Sequence, residues 1–271
     1  MANERTIAFI GGGNMAASLI GGLLAAGWEP ADIAVGEPDD GRRADLTARF
    51  GVRTTGDNAK AVAGADTVVL AVKPQLMEAV AGDLGPALAE SRPLVISVAA
   101  GIRLERLRAW LGTAAPLVRV MPNTPALVGA GVSALYAGDD VDGPGRAEAE
   151  RILRAAGEAV WVPKEAHMDA VTALSGSGPA YFFLILEALE EAAVAEGLDR
   201  DTARTLAVQT AKGAAALAED SGEAPAVLRS KVTSPGGTTA QGVAALERGG
   251  VRTALADAVA AAARRSRELG G

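Results

Sequence analysis

Two short segments near opposite ends of the chain hold residue types from which chemistry can be built. One is Val232-Thr233-Ser234-Pro235-Gly236-Gly237-Thr238-Thr239, which opens onto an Ala/Leu-rich stretch. Two glycines followed by two threonines leave the first backbone N–H groups of the next helix bare. Those groups and the helix dipole favour a carboxylate or a phosphate. Thr233, Ser234, Thr238 and Thr239 add hydroxyls beside them. An ordinary capped helix start would use the same residue types, so this segment gains its meaning from the other one. There, Ile7-Ala8-Phe9-Ile10 runs into Gly11-Gly12-Gly13-Asn14-Met15-Ala16, a G-x-G-x-x-A pattern followed by an apolar helix through Ala26. A strand, a tight glycine turn and a helix N-terminus cradle a pyrophosphate. Gly11 makes the turn, Gly13 admits the phosphates to the backbone, and Ala16 keeps helix and strand close.

Composition narrows the field. The chain has 271 residues, a net charge of −7, one histidine and no cysteine. It is long enough for two domains. Without cysteine there is no disulfide, thiolate metal site or cysteine nucleophile. With His167 alone, a Ser-His-Asp triad would hang on one residue that sits in a charged stretch. The acidic balance argues against a nucleic-acid partner. Thr6 to Trp28 carries no charge, but the glycines and Asn14 interrupt it too early for a signal peptide or an anchor. No other segment is expected to span a bilayer, so the chain reads as cytoplasmic, with no membrane partner.

These loops need elements to hold them. Apolar runs at Ile33-Ala34-Val35, Thr67 to Val72, Leu94 to Val98 and Leu117 to Val120 alternate with helical stretches. That alternation predicts a parallel doubly wound sheet. Val132 to Tyr136 and Val160-Trp161-Val162 read as two further strands. From about Glu165 the pattern is helical. Tyr181 to Glu196 is nearly all apolar in its first half, Gly197 stops it, and Asp199 caps the next helix. Ala203, Leu206, Ala207, Thr210, Ala214 and Leu217 share one face of that helix. A run such as Phe182-Phe183-Leu184-Ile185-Leu186 needs burial on all sides, which one small helical domain can hardly supply. A second subunit is therefore expected. The fold class is α/β: an N-terminal Rossmann-type doubly wound sheet, residues 1–164, then an all-α dimerisation and substrate-binding domain, residues 165–271.

Five segments in order carry a family resemblance. They are Gly11 to Ala16, Ala71-Val72-Lys73-Pro74, Met121-Pro122-Asn123-Thr124-Pro125, Leu174 to Tyr181, and Val232 to Thr239 continuing into Leu246-Glu247. Over nearly its whole length the chain resembles pyrroline-5-carboxylate reductases. The resemblance implies reduction of 1-pyrroline-5-carboxylate to L-proline with NADPH or NADH, the last step of proline biosynthesis. It also implies a homodimer through interlocked C-terminal helices, often built up into a decamer. Gly11, Gly13, Asn14, Met15, Glu37, Asn58, Ala71, Lys73 and Asn123 are the implied cofactor contacts, Asn58 at the adenosine and Asn123 on the nicotinamide side. Ser234, Gly236, Gly237 and Thr238 are the expected cradle of the substrate carboxylate, and the resemblance sets the Thr239 hydroxyl beside the ring nitrogen. A protonated imine already carries its proton, which suits a chain with no evident acid–base pair. Thr239 is then an orienting hydroxyl, able to relay a proton from water.

Other readings compete. Asp57-Asn58 also reads as a helix cap, Lys73 as a solvated lysine before a proline-started helix, and Asn123-Thr124 as a plain turn. β-Hydroxyacid dehydrogenases share the domain pattern, but place a lysine four residues after the second glycine of a G-x-G segment. Here that place, after Gly176-Ser177-Gly178, is Phe182. A non-catalytic dinucleotide sensor would leave the carboxylate loop without a purpose. For the cofactor, Glu37 falls about twenty residues past Ala16, where an acid bonds the ribose 2′-hydroxyl of NAD and repels a 2′-phosphate. Arg42 and Arg43 follow and offset it. The local residues point to NADH, the resemblance to NADPH.

Overall fold

The structure, a computed structural model, describes residues 5–270. Eight strands form one sheet: β1 Ile7–Ile10, β2 Ile33–Gly36, β3 Arg53–Thr55, β4 Thr67–Leu70, β5 Leu94–Ser97, β6 Leu117–Met121, β7 Gly131–Ala137 and β8 Gly157–Trp161. Their order is β3-β2-β1-β4-β5-β6-β7-β8. All pairs are parallel except β6 with β7. The order reverses between β1 and β4, which opens a crevice at the carboxyl ends of these strands. Six helices lie among the strands: α1 Asn14–Ala25, α2 Asp40–Phe50, α3 Asn58–Val62, α4 Met77–Ser91, α5 Leu104–Leu111 and α6 Gly143–Arg154.

β1, β2, β4 and β5 are buried at every residue. That is why they read as unbroken apolar runs, since a parallel sheet covered on both faces has no solvent side. Alternation then sorts their residues. Ile7 and Phe9 enter one core with Leu19, Leu23 and Val35, while Ala8 and Ile10 enter the other with Val68, Leu84 and Val95. The seven expected strands are all present. β3 is an addition that no apolar signal marks: it is a three-residue edge strand, Arg-Thr-Thr, with none of its residues buried.

The helical remainder comprises α7 Met168–Val171, α8 Gly178–Ala195, α9 Arg200–Ser221, α10 Pro225–Lys231, α11 Thr238–Arg248 and α12 Val251–Gly270. A π-helical turn, Thr172–Gly176, joins α7 to α8. By compactness the chain divides after Ser177. The second unit is Gly178–Ala261, and the last turns of α12, from Ala262, belong with the first. Ser266 fixes them there, its hydroxyl donating to Asp169 Oδ1 at 2.6 Å.

In the second unit α8 packs on α9. Gly197, with φ of +100°, turns the chain between them, and Asp199 caps α9 by accepting from the Thr202 N–H at 3.0 Å. Arg204 and Arg200 of α9 clamp Glu190 of α8 at 2.9 and 2.6 Å. Their hydrogen bonds, Arg204's foremost, hold the Glu190 carboxyl below its ordinary range. Yet Gly178 and Ala203 are the only buried residues between 178 and 261. Phe182, Phe183, Leu184 and Leu189 are each more than half exposed. One sequence expectation needs correction here. Within the 31-residue helical stretch Glu165–Ala195 an 18-residue window has a mean hydropathy of 1.2, apolar enough by length and composition alone to cross a membrane, a test that the core helix of a soluble protein also passes. Its apolar character runs through α7, the π-helical turn and α8 as one stretch.

Candidate active site

At the crevice, Gly11 donates its N–H to Gly36 O at 2.8 Å, and Ala71 donates to Ile10 O at 2.8 Å. These bonds carry the sheet ladder one residue past β1 and hold the glycine turn against β2 and β4. Gly11 has φ of +95°, and a Cβ there would lie 2.8 Å from Ala71 O. Only glycine fits without strain. Gly13 is the N-cap of α1, and no side chain among the described residues caps it. The first-turn N–H groups of α1 therefore have no acceptor inside the helix and present the positive end of its dipole. Gly11→Ala is expected to raise the Kd of NADH and of NADPH at least about tenfold, the effect of roughly 1–3 kcal/mol of strain on the phosphate loop. Fluorescence titration beside a thermal melt checks this; unchanged Kd values in a folded variant would remove the loop from cofactor binding.

The cleft beyond this turn holds about 650 Å³ and brings together Gly11, Gly13, Asn14, Met15, Glu37, Asn58, Ala71 and Lys73. The volume suits a small-molecule site, and the glycine cradle with its uncapped helix fits a dinucleotide pyrophosphate. Asp57, not Asn58, is the cap of α3, accepting from Ala59 and Lys60 N–H. That leaves Asn58 in the cleft wall. Lys73 precedes a short helical turn that starts at Pro74 and also lines the cleft. Asn123 does not join this set. It is buried, and its side-chain Oδ1 accepts from Val132 N–H at 2.9 Å. A buried carboxamide must find a partner, and here it pins β7. Sequence reasoning also passed over Leu46 and Arg49, which line the cleft from α2. With Arg42 they recur every three or four residues, the spacing of one helix face.

Glu37 is 4% exposed and follows β2. Its carboxylate accepts from the Gly12 N–H at 2.8 Å and from the Asp39 N–H at 3.0 Å. Arg42 stands 3.9 Å from it and is exposed to the cleft. Arg43, expected with Arg42 to offset Glu37, turns the other way. Its guanidinium donates to Glu37 O at 2.7 Å and Pro38 O at 2.9 Å, and it also pairs with Asp40.

In the second unit, Ser234 to Gly237 form a β-turn closed by Gly237 N–H to Ser234 O at 3.1 Å. Pro235 and Gly236, with φ of +72°, occupy its centre, which is the residue pattern of a type II turn. This corrects the expected cradle at one point: the Gly237 N–H is spent on the turn. Its φ is −74°, so the left-handed requirement lies on Gly236. The outward donors are then those of the first turn of α11, at Thr238, Thr239 and Ala240, which no side chain among the described residues caps. Thr233 gives its hydroxyl to Arg229 O at 2.6 Å. The hydroxyls of Ser234, Thr238 and Thr239 keep no such bond among the described residues. Near the end of α11, Glu247 accepts hydrogen bonds from Arg252 of α12, which hold its carboxyl below the ordinary range. His167 is exposed, as expected.

A doubly wound sheet with a glycine turn and an uncapped helix at its switch point, followed by helices, defines a dinucleotide-binding α/β oxidoreductase. Residues 6–101 match the family model described as NADP oxidoreductase, coenzyme F420-dependent, and residues 165–269 match that for pyrroline-5-carboxylate reductase dimerisation. The chain is 49% identical to the pyrroline-5-carboxylate reductase of Pseudomonas aeruginosa, over 97% of this chain and 96% of that one. The Coxiella burnetii pyrroline-5-carboxylate reductase structure superposes with a TM-score of 0.96 at 44% identity, covering 99% of this chain and 100% of that one. The Plasmodium falciparum pyrroline carboxylate reductase, solved with NADP bound, gives 0.87 at 29% identity with both chains fully covered. The chain belongs to the pyrroline-5-carboxylate reductase family. It is an NAD(P)H-dependent oxidoreductase, and its exposed C-terminal helices are the family's dimerisation region, so it works as a homo-oligomer.

Proposed function

We propose that this chain is a cytoplasmic homodimeric enzyme, able to build up into a decamer, that reduces 1-pyrroline-5-carboxylate to L-proline. In this reading residues 1–164 hold NADH or NADPH, and residues 165–271 dimerise and bind the substrate. The observation that carries the substrate assignment is the turn at Ser234–Gly237, which leaves the first N–H groups of α11 free next to an uncommitted Thr239 hydroxyl. A carboxylate accepts from such N–H groups in a charge-assisted way, and the dipole of the helix adds to the attraction. Thr238 and Thr239 supply those N–H groups and Ser234 adds a hydroxyl. Gly236 makes the turn possible, and Gly237 holds it closed.

A bound reduced nicotinamide supplies a hydride. The C=N carbon takes that electron pair, the π pair of the bond goes to nitrogen, and the iminium proton stays on the product amine. The protein therefore has to hold the carboxylate, fix the ring and keep the nitrogen protonated. Thr239, with no charge of its own, orients the ring nitrogen and passes on a proton from water. In the cleft, Asn14 and Met15 at the start of α1 would hold the pyrophosphate, and Asn58, Lys73 and Ala71 would line the remainder of the dinucleotide site.

The deciding experiment is imine-dependent oxidation of NADH and NADPH by the purified chain, with the amino acid product identified. Proline formed in proportion to the cofactor consumed supports the reading. Oxidation of a 3-hydroxy acid instead, or cofactor binding without any turnover of the imine, would overturn it.

A further inference from the structure

We propose that Glu37 selects NADH over NADPH from a position locked by the phosphate loop, so that one carboxylate both sets the cofactor preference and braces Gly12. This rests on the reading of the cleft as the dinucleotide site. The lock is visible in the hydrogen bonds. Oε2 accepts from Gly12 N–H at 2.8 Å and Oε1 from Asp39 N–H at 3.0 Å, and the residue is 4% exposed. The loop also lies tightly on this side chain. A Cβ on Gly12 would come within 2.6 Å of Leu46 Cδ1 and 3.3 Å of Glu37 Cγ. Moving a carboxylate so held aside for a larger ligand would break both bonds.

Each of its oxygens has used one lone pair and keeps another. Two acceptors side by side suit a ribose that offers two hydroxyl donors. A ribose 2′-phosphate offers acceptors only, and brings nearly two negative charges at neutral pH. The arginines of α2 nearest to it are already engaged. Arg43 is committed to the Glu37 and Pro38 carbonyls and to Asp40. Arg49 is paired with Asp45 at 3.0 Å. Arg42 is the remaining cation of α2 at the cleft, and it already stands 3.9 Å from the Glu37 carboxylate. A phosphate would have to share one guanidinium with a fixed like charge.

The brace makes a second, separable claim. Gly12 lies inside the glycine turn, so its N–H bond to Glu37 ties the loop under the pyrophosphate to the end of β2. A side chain that keeps an oxygen at this reach but loses the charge separates the two roles, and a shorter one removes both.

The test is direct titration of NADH and NADPH by fluorescence, with amide hydrogen exchange at Gly12, for the wild type, Glu37→Gln and Glu37→Ser. The wild type is expected to bind NADH at least about tenfold more tightly than NADPH, a factor worth about 1.4 kcal/mol. Glu37→Gln should narrow that ratio about tenfold and leave Gly12 protected. Glu37→Ser, too short to reach Gly12, should speed its exchange at least about tenfold and weaken NADH by a similar factor. An unchanged ratio in both variants would overturn the selective role, and unchanged Gly12 exchange in Glu37→Ser would overturn the brace. If the wild type bound neither nucleotide, the reading of the cleft itself would fail and this proposal with it. A folded wild type that binds both equally would sink the selectivity alone.

Discussion

Replacing Phe182 and Phe183 together by aspartate is expected to leave the chain monomeric and to cost more than about a hundredfold in activity. Both rings are exposed, at 67% and 65%, and Leu184 beside them at 65%. They stand on α8, in a unit whose buried residues among those described are Gly178 and Ala203 alone. Such a unit has almost no core of its own. Burying side chains of this kind contributes about 1.5–3 kcal/mol each, and a two-fold contact counts every one twice. Two carboxylates per chain forced into that contact would each cost several kcal/mol unless they escaped to water. The variant should sediment at the mass of one chain at low micromolar concentration. It should also lose helical signal from the second unit while still binding NADH in the first. A variant that stays dimeric with full turnover would mean that α8 is not the contact.

Thr239→Ala is expected to lower kcat/KM for pyrroline-5-carboxylate by about ten- to a hundredfold, the range for one orienting hydrogen bond with some part in proton transfer. The Kd of either cofactor should move less than about twofold, because Thr239 lies on α11 and the dinucleotide cleft is lined from β1, β2, β4 and their helices. Gly237→Ala should act chiefly on the substrate KM. Its Cβ would meet Ser234 Oγ at 2.7 Å, so the turn must open and the N–H groups behind it lose their aim. Gly236→Ala should do the same by a different route, through the left-handed backbone at φ of +72°. Steady-state kinetics with the imine varied, paired with fluorescence titration of the cofactor, separates these effects. Intact turnover in Thr239→Ala, or weakened cofactor binding in its place, would remove the residue from the chemistry.

Arg43 and Asn123 show where one-dimensional reading stops. Arg43 sits next to Arg42 in sequence, and both are expected to offset Glu37. Successive residues of a helix point about 100° apart, so Arg42 meets the cleft while Arg43 turns to the carbonyls that end β2. Asn123 lies in a segment that resembles a nicotinamide loop, yet a buried amide takes whatever partner the fold supplies, and here that is Val132.

The alternation of strand and helix, the glycine turn at Gly11, the change to helices near Glu165 and the need for a second subunit at α8 can all be read from residue order. Each of these is written in local patterns: continuous apolar runs for strands covered on both faces, glycines where the backbone must bend, and an apolar helix with nothing of its own to cover it. β3 escaped because an edge strand buries nothing that a pattern could register. The tie of Glu37 to Gly12, a bond across 25 positions, and the use of the Gly237 N–H by its own turn emerge with the folded chain. Hydrogen bonds depend on angles and distances of a few tenths of an ångström. Residue order constrains those only after the sheet has brought β1 and β2 together.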